Sequence, residues 1–373
     1  MPKSAFIRRD MLAVGPASKS ERMRTTAKRH FENTRKREQR AKADNQQQEV
    51  IMRSARVRHW TLGIGVAAML TLTVPAVAEV PESSDPIKII HNNWTSQLVV
   101  SDIAGQLLEK MGYTVEYVPS NTQLQFTAMG NGDLHVQLEV WEGTMLVPFE
   151  KEVEAGRMID AGSHTAITRE EWWYPIYMEE KCPGLPDWKA LDKCAELFAT
   201  AETAPKGRYV GGPVDWGKHH SERIEALGMN FVEVPVGQAA TLWAELDSAY
   251  KRQEPIVLFN WTPNWVEAKY EGKFVDFPDF APECLTDPSW GTNPDLAYDC
   301  GATKKGWLKK GVWAGMEDKW PAAFTLIKNM DFTNAQLAEA SSLVDVDGLT
   351  PEEAAAKWIA ENEPVWKAWM PTM

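Results

Sequence analysis

The sequence predicts an α/β protein of two lobes, and three observations carry that expectation. Its 373 residues suffice for about two domains at roughly 100 to 200 residues each. Strand-like and helix-like segments alternate in two separate series, the pattern of parallel α/β architecture. A Pro/Asp/Gly-rich stretch then interrupts the second series before helical segments close the chain. With 44% hydrophobic and 25% charged residues the composition is that of a globular protein, not of collagen, disorder or a multi-span membrane protein.

Residues 1–51 are polar and rich in Arg, Lys and Gln, and read as a basic extension that is disordered or, with Met52 as the true start, not translated. Residues 52–78 read as a signal peptide. Arg53, Arg56 and Arg58 precede the apolar run Trp60 to Val74, and Ala76-Val77-Ala78 supplies the A-x-A cleavage site before Glu79. That run is too short for a membrane span, no later stretch approaches one, and no Cys follows the site to take a lipid. The product is expected to be soluble outside the cytoplasm.

In the mature chain Ile87 to His91 reads as a buried strand, Thr95 to Met111 as a helix and Thr114 to Val118 as a strand. Thr122 to Gly130 reads as a helix, and Leu134 to Trp141 as a strand leaving the turn Gly130-Asn131-Gly132-Asp133. The second series has helices Lys189 to Phe198, Ser221 to Leu227 and Gln238 to Gln253, with strands Arg208 to Val210, Phe231 to Val234 and Pro255 to Asn260. Phe277 to Gly301 is the irregular stretch, and helices Pro321 to Met330 and Pro351 to Trp369 end the chain. Two lobes with closing helices returning to the first describe a hinged solute binder by fold analogy.

Charge divides the chain. Residues 1 to 60 hold 16 of the 40 Lys and Arg but 6 of the 52 Asp and Glu, leaving a balance of −22 for the remainder. A nucleic-acid partner is thereby disfavoured, because phosphate contacts need a cationic surface. All 4 Cys lie in the mature part, where an oxidising compartment favours disulfides. Three pairings are open; Cys182–Cys194 with Cys284–Cys300 is preferred because each pair brackets a Pro/Gly/Asp-rich loop. No spacing suits zinc.

The composition is unusual in Trp, which at 17 outnumbers the 12 Phe and the 8 Tyr. Several fall where strands run out into loops, the places where open α/β sheets bind ligands. Trp94 lies in His91-Asn92-Asn93-Trp94-Thr95-Ser96, with Thr95 or Ser96 available to cap the next helix, and Trp141 ends its strand. Trp172 and Trp173 sit in Glu170-Glu171-Trp172-Trp173-Tyr174-Pro175, near the expected passage between lobes. Trp216 follows Gly211-Gly212-Pro213, and Trp261 and Trp265 stand in Asn260-Trp261-Thr262-Pro263-Asn264-Trp265.

On Asn93-Trp94-Thr95, the segment Gly132-Asp133-Leu134 to Glu139-Val140-Trp141, Tyr174-Pro175, Gly211-Gly212-Pro213 and the Trp261 motif, the chain resembles a family. It is similar to the periplasmic substrate-binding proteins of ABC importers for glycine betaine, proline betaine and choline, with their trimethylamine N-oxide-binding relatives. The resemblance spans about residues 84 to 370. It implies a type II periplasmic-binding-protein fold with a hinge and an interlobe cleft, lobe I being 84–170 with 308–373 and lobe II 171–307. It also implies periplasmic localisation, a permease partner, no catalysis, and a cage of Trp94, Trp141, Trp261 and either Trp173 or Trp172. Trp216 and Trp265 read as supporting or core rings.

The cage has its own physics. A trimethylammonium group has no N–H to donate and is held by the negative faces of indoles, each worth about 0.5 to 2 kcal/mol. A betaine also needs its carboxylate bound by cationic or N–H groups, yet acids surround these motifs: Glu139, Glu142, Glu170, Glu171 and Asp215 against Arg169 and Lys218 alone. The expected ligand is therefore trimethylamine N-oxide or choline rather than glycine betaine or proline betaine. Glu142 or Asp215 would face the cation or donate a hydrogen bond to the oxide in protonated form.

Two other classes compete. A secreted hydrolase would have to use His135, His164 or His219-His220, none of which stands in a G-x-S-x-G or H-E-x-x-H motif. A calcium-binding adhesion module is raised by the oxygen-rich irregular stretch. There Asp287, Asp295 and Asp299 are weak candidates for a structural Ca²⁺, without a D-x-[DN]-x-[DN]-G pattern. No cofactor is otherwise expected.

Overall fold

The computed structural model describes residues 80–371; the segments 1–51 and 52–78, read above as a basic extension and a signal peptide, lie outside the described residues. The strands are β1 (Ile87–His91), β2 (Val115–Pro119), β3 (Val136–Trp141), β4 (Met158–Pro175), β5 (Gly207–Gly211), β6 (Phe231–Pro235), β7 (Leu258–Thr262), β8 (Gly272–Phe274) and β9 (Gly306–Trp313). They are hydrogen-bonded in the order β2-β1-β3-β9-β4-β7-β5-β6, with β8 on β4.

β1 pairs in parallel with β2 and β3, and β5 in parallel with β6 and β7. Parallel strands need crossover helices that cover both faces, which is why β3 and most of β5 and β7 are buried throughout. The two parallel units are joined by antiparallel strands. β4 pairs with β9 from Met158 to Thr168 and with β7 from Arg169 to Trp173, while β9 also pairs with β3. One long strand thus runs from the first unit into the second and β9 runs back, which makes a two-lobed α/β fold with a hinge of crossing strands.

Helix Thr95–Lys110 crosses from β1 to β2 with most of its length buried. Glu142–Glu154 follows β3 without a loop, Trp141 serving as its N-cap residue. In the second lobe Ala239–Arg252 leads from β6 towards β7. The closing helices Asn334–Asp345 and Pro351–Glu361 pack against Thr95–Lys110, each started by a capping box, Thr333 with Gln336 and Thr350 with Glu353. Among the described residues no helix is long and apolar enough to cross a membrane.

Several expectations change in detail. Neither Thr95 nor Ser96 caps its helix: Trp94 is the N-cap residue, with no side-chain bond to the helix. The hydroxyl of Thr95 donates to Asp345 and that of Ser96 to Glu139. The last predicted helix is two, Pro351–Glu361 and Glu363–Trp369, because Pro364 in the first turn of the second cannot donate across Asn362. Cys182 is bonded to Cys194 and Cys284 to Cys300, with Cα separations of 5.8 and 6.3 Å.

Candidate functional site

The C-terminal ends of β1, β3 and β7 and the loop after β5 converge between the lobes. Trp94 follows β1, Trp141 is the last residue of β3 and Trp261 lies near the end of β7. After β5, Gly212-Pro213 turns the chain into a short 3₁₀ segment, Val214–Trp216, that carries Trp216 to the same place. Gly212 is required there: a Cβ would stand 2.8 Å from the Trp216 ring. The four indoles border one cavity of about 280 Å³, counting its open mouth, together with Phe259 and Met145.

The rings stand edge to face. Trp216 lies 5.3 Å from Trp261 and 6.1 Å from Trp94, both at 85°. Their polar edges are anchored away from the hollow. Trp94 Nε1 and Trp141 Nε1 both donate to Glu139 Oε2, at 2.6 and 3.1 Å, and Trp216 Nε1 donates across the cleft to Asn93 Oδ1 at 2.6 Å. Burial pushes the Glu139 carboxyl up to about 7 against the lowering effect of those donors and of Ser96. A second cross-cleft tie joins Trp265 Nε1 to Asp345 Oδ2 at 2.6 Å, Asp345 also accepting from Thr95 at 2.8 Å. Burial raises Asp345 above the usual carboxylate range, opposed by both donors.

The remaining wall is polar. Lys218 is ion-paired with Glu170 and bonded to the Thr144 hydroxyl, which itself lies 2.5 Å from Glu170 Oε1. The Lys218 ammonium is 4.9 Å from the Phe259 ring centroid. Burial lowers its pKa while Glu170 holds it up. The cavity wall therefore combines indole rings with a neutralised pair of charges and a hydroxyl.

Trp94, Trp141 and Trp261 are brought together as expected, but the other predicted residues are not in this cavity. Trp172 is fully buried in the second lobe, stacked on Tyr209 at 3.8 Å with its Nε1 bonded to His220 at 3.2 Å. Trp173 is buried against Gly272. Both belong to the segment of β4 paired with β7, where the lobe's interior covers both faces; Trp216 stands as the fourth indole instead. Glu142 accepts the Trp307 N–H and lines a larger neighbouring cleft, its carboxyl raised by burial. Asp215 lies outside the cavity, its carboxylate oxygens 3.4 Å from Asn93 Nδ2.

Asp287 accepts from the N–H and hydroxyl of Ser289, and Asp299 from the N–H of Asn293 and the hydroxyl of Thr292. The Asp295 N–H is bonded to Asn293 Oδ1. Among the described residues no group of three His, Cys, Asp or Glu side chains is placed to hold a metal ion. Sequence reasoning missed Trp216, Thr144 and the placing of Glu170 and Lys218. The turn Gly211-Gly212-Pro213 was the available signal for Trp216, since it returns the chain to the strand end.

A cleft between two α/β lobes, faced by aromatic rings from both and spanned by two crossing strands, defines a solute-binding protein of an ABC importer. Residues 85–361 match the family described as the substrate binding domain of the ABC-type glycine betaine transport system, and the chain belongs to that family. The trimethylamine N-oxide-binding protein of Pelagibacter ubique is 36% identical over 315 residues, which cover 81% of this chain and 97% of that protein. The glycine betaine/proline betaine-binding periplasmic protein of Escherichia coli is 25% identical over 231 residues, 56% of this chain and 65% of its own.

Among solved structures, the glycine betaine, L-proline-binding protein ProX of Borrelia burgdorferi superposes with a TM-score of 0.62 at 19% identity, over 77% of this chain and 97% of that one. An ABC-transporter choline-binding protein in complex with choline gives 0.60 at 20%, over 78% and 92%. These likenesses show the fold. The chain is thus a substrate-binding component of ABC-type quaternary-amine uptake, a class that binds small solutes and works with permease subunits, and not an enzyme.

Proposed function

We propose that the protein captures trimethylamine N-oxide in the periplasm and delivers it to an ABC permease. The observation that carries this reading is a hollow lined by four indoles together with Lys218, Thr144 and Glu170. Four faces at about 0.5 to 2 kcal/mol each can supply much of the roughly 8 kcal/mol that micromolar affinity requires. The oxide oxygen is a compact, strong acceptor that suits the Lys218 ammonium and the Thr144 hydroxyl. Choline fits the same cage with its hydroxyl donating to Glu170. The identity with the Pelagibacter protein over nearly its full length supports the N-oxide.

Two of the indoles stand on each side of the cleft, so solute binding favours the closed form because only that form completes the cage. The moving bodies are 84–170 with 308–373 and 171–307, a division supported by the change of partner in β4 between Thr168 and Arg169.

One observation favours a second reading. Lys218 places an ammonium at the cavity wall, as a carboxylate ligand such as glycine betaine wants; Glu170 beside it works against that ligand. Calorimetric titration with trimethylamine N-oxide, choline and glycine betaine decides. The expected order places the first two ahead, and tight glycine betaine binding with no response to the others overturns the proposal.

A further inference from the structure

We propose that Glu139 is the positioning residue of the cage: one buried carboxylate oxygen fixes the edges of Trp94 and Trp141, and its charge lies behind both rings to favour a cation at their faces. This deepens the cage reading above and rests on it. Glu139 has no exposed surface. Its Oε2 accepts from Trp94 Nε1, Trp141 Nε1 and Ser96 Oγ at 2.6, 3.1 and 3.0 Å, while Oε1 has no hydrogen-bond partner. Among the described residues no Lys, Arg or His is paired with it.

A buried carboxylate without a cation is expensive, and an uncharged isostere there ordinarily stabilises a fold. Its retention makes sense if the missing cation is the ligand. Both indoles are then polarised by a charge-assisted hydrogen bond at the edge while their faces stay open to the trimethylammonium group. The i, i+2 spacing of Glu139 and Trp141 on β3 puts acid and ring on one side of the strand. Trp94 reaches the same oxygen from the end of β1.

The ionisable groups on the neighbouring elements have partners of their own. On β1 and Thr95–Lys110, His91 pairs with Asp102. On β4, His164 bonds Leu138 O and the Phe332 N–H, while on β9 Lys310 bonds the carbonyls of Lys328 and Met330 and Lys309 pairs with Asp160. At the start of Glu142–Glu154, Glu142 accepts from Trp307, and across the cavity Lys218 pairs with Glu170.

The test is Glu139→Gln against Glu139→Asp, read by calorimetry and by melting of the ligand-free protein. Gln keeps the reach without the charge; Asp keeps the charge without the reach. The proposal expects the Gln variant to melt at or above the wild-type temperature yet to bind choline about tenfold more weakly. The loss is smaller for trimethylamine N-oxide, which carries no net charge, and the Asp variant is weak for both. A merely structural Glu139 gives the opposite pattern, lower melting with unchanged affinity, and overturns the inference.

If the Gln variant does not fold, the wild-type protein serves. Choline affinity then falls from pH 8 to pH 6 while the indole N–H resonances of Trp94 and Trp141 shift together, and a flat profile with static resonances overturns the inference. Wild-type protein that binds none of the three solutes refutes the proposed function itself, whereas normal binding with an indifferent Gln variant refutes this inference alone.

Discussion

Trp216 is the ring whose removal tests the cage most sharply, because it touches both sides of the cleft. It lies edge to face with Trp94 of the first lobe and Trp261 of the second, and its N–H crosses the cleft to Asn93. Trp216→Ala deletes one cation–π face, about 0.5 to 2 kcal/mol, and one net hydrogen bond, about 0.5 to 1.5 kcal/mol. The combined loss of about 1 to 3.5 kcal/mol weakens Kd by about fivefold to 400-fold. Trp216→Phe keeps a ring face and loses the N–H, so it belongs at the lower end. Isothermal titration with trimethylamine N-oxide reads both, and circular dichroism of the ligand-free protein checks that the lobes are intact. Affinities within twofold of wild type for both variants refute the cage as assigned.

Trp172→Ala acts in the opposite sense: it empties a fully buried site beside Tyr209 and costs about 3 to 5 kcal/mol in urea unfolding. The affinity of the folded fraction stays unchanged, and a selective loss of affinity at full stability returns that ring to the site. Asp345→Ala removes the tie to Thr95 and Trp265 without touching the cavity wall, so solute affinity falls about fivefold to 100-fold through the closed form alone; unchanged affinity shows that the tie does not govern closure. His164 is held neutral because burial lowers its pKa to about 4, and its Nδ1 accepts the Phe332 N–H. The unfolded chain, near 6.5, takes the proton first, so this contribution of about 3 kcal/mol is full above pH 6.5 and is lost as pH falls towards 4. Urea unfolding at pH 7.5 and 4.5 shows a smaller difference in His164→Asn than in wild type, and equal differences refute the assignment.

The parallel strands were legible because burial on both faces leaves short apolar runs bounded by turns, as at Ile87–His91 and Phe231–Pro235. β4 and β9, which make the hinge, were not. The buried positions of β4 include Ala161, His164, Ala166 and Thr168, so its alternation is one of burial without hydrophobicity. β9 carries Lys309 and Lys310, the latter buried because its ammonium satisfies the carbonyls of Lys328 and Met330. Pro148 disguised the helix Glu142–Glu154. Asn334–Asp345 was missed although its signal was present: Thr333-Asn334-Ala335-Gln336 is a capping box.

At the site, strand ends found Trp94, Trp141 and Trp261, and the same rule misplaced Trp172 and Trp173 because proximity to the lobe passage does not say which part of a strand the cleft reaches. On β4 the cavity wall includes Glu170 but not Trp172, two residues further along the same face and covered by Tyr209 and His220. Three of the four cavity indoles share a feature of the ring edge rather than of its face. Trp173, Trp320 and Trp358 are buried with no partner for Nε1, whereas Trp94, Trp141 and Trp216 have theirs anchored by a side-chain oxygen. A ring with an open face gains its orientation from such an anchor, although Trp261 is set instead by packing on Trp243 and Phe259, and Trp265 outside the cavity is anchored by Asp345. An acid two residues before a strand-ending Trp, as Glu139 stands to Trp141, is therefore the part of this cage that a sequence can display.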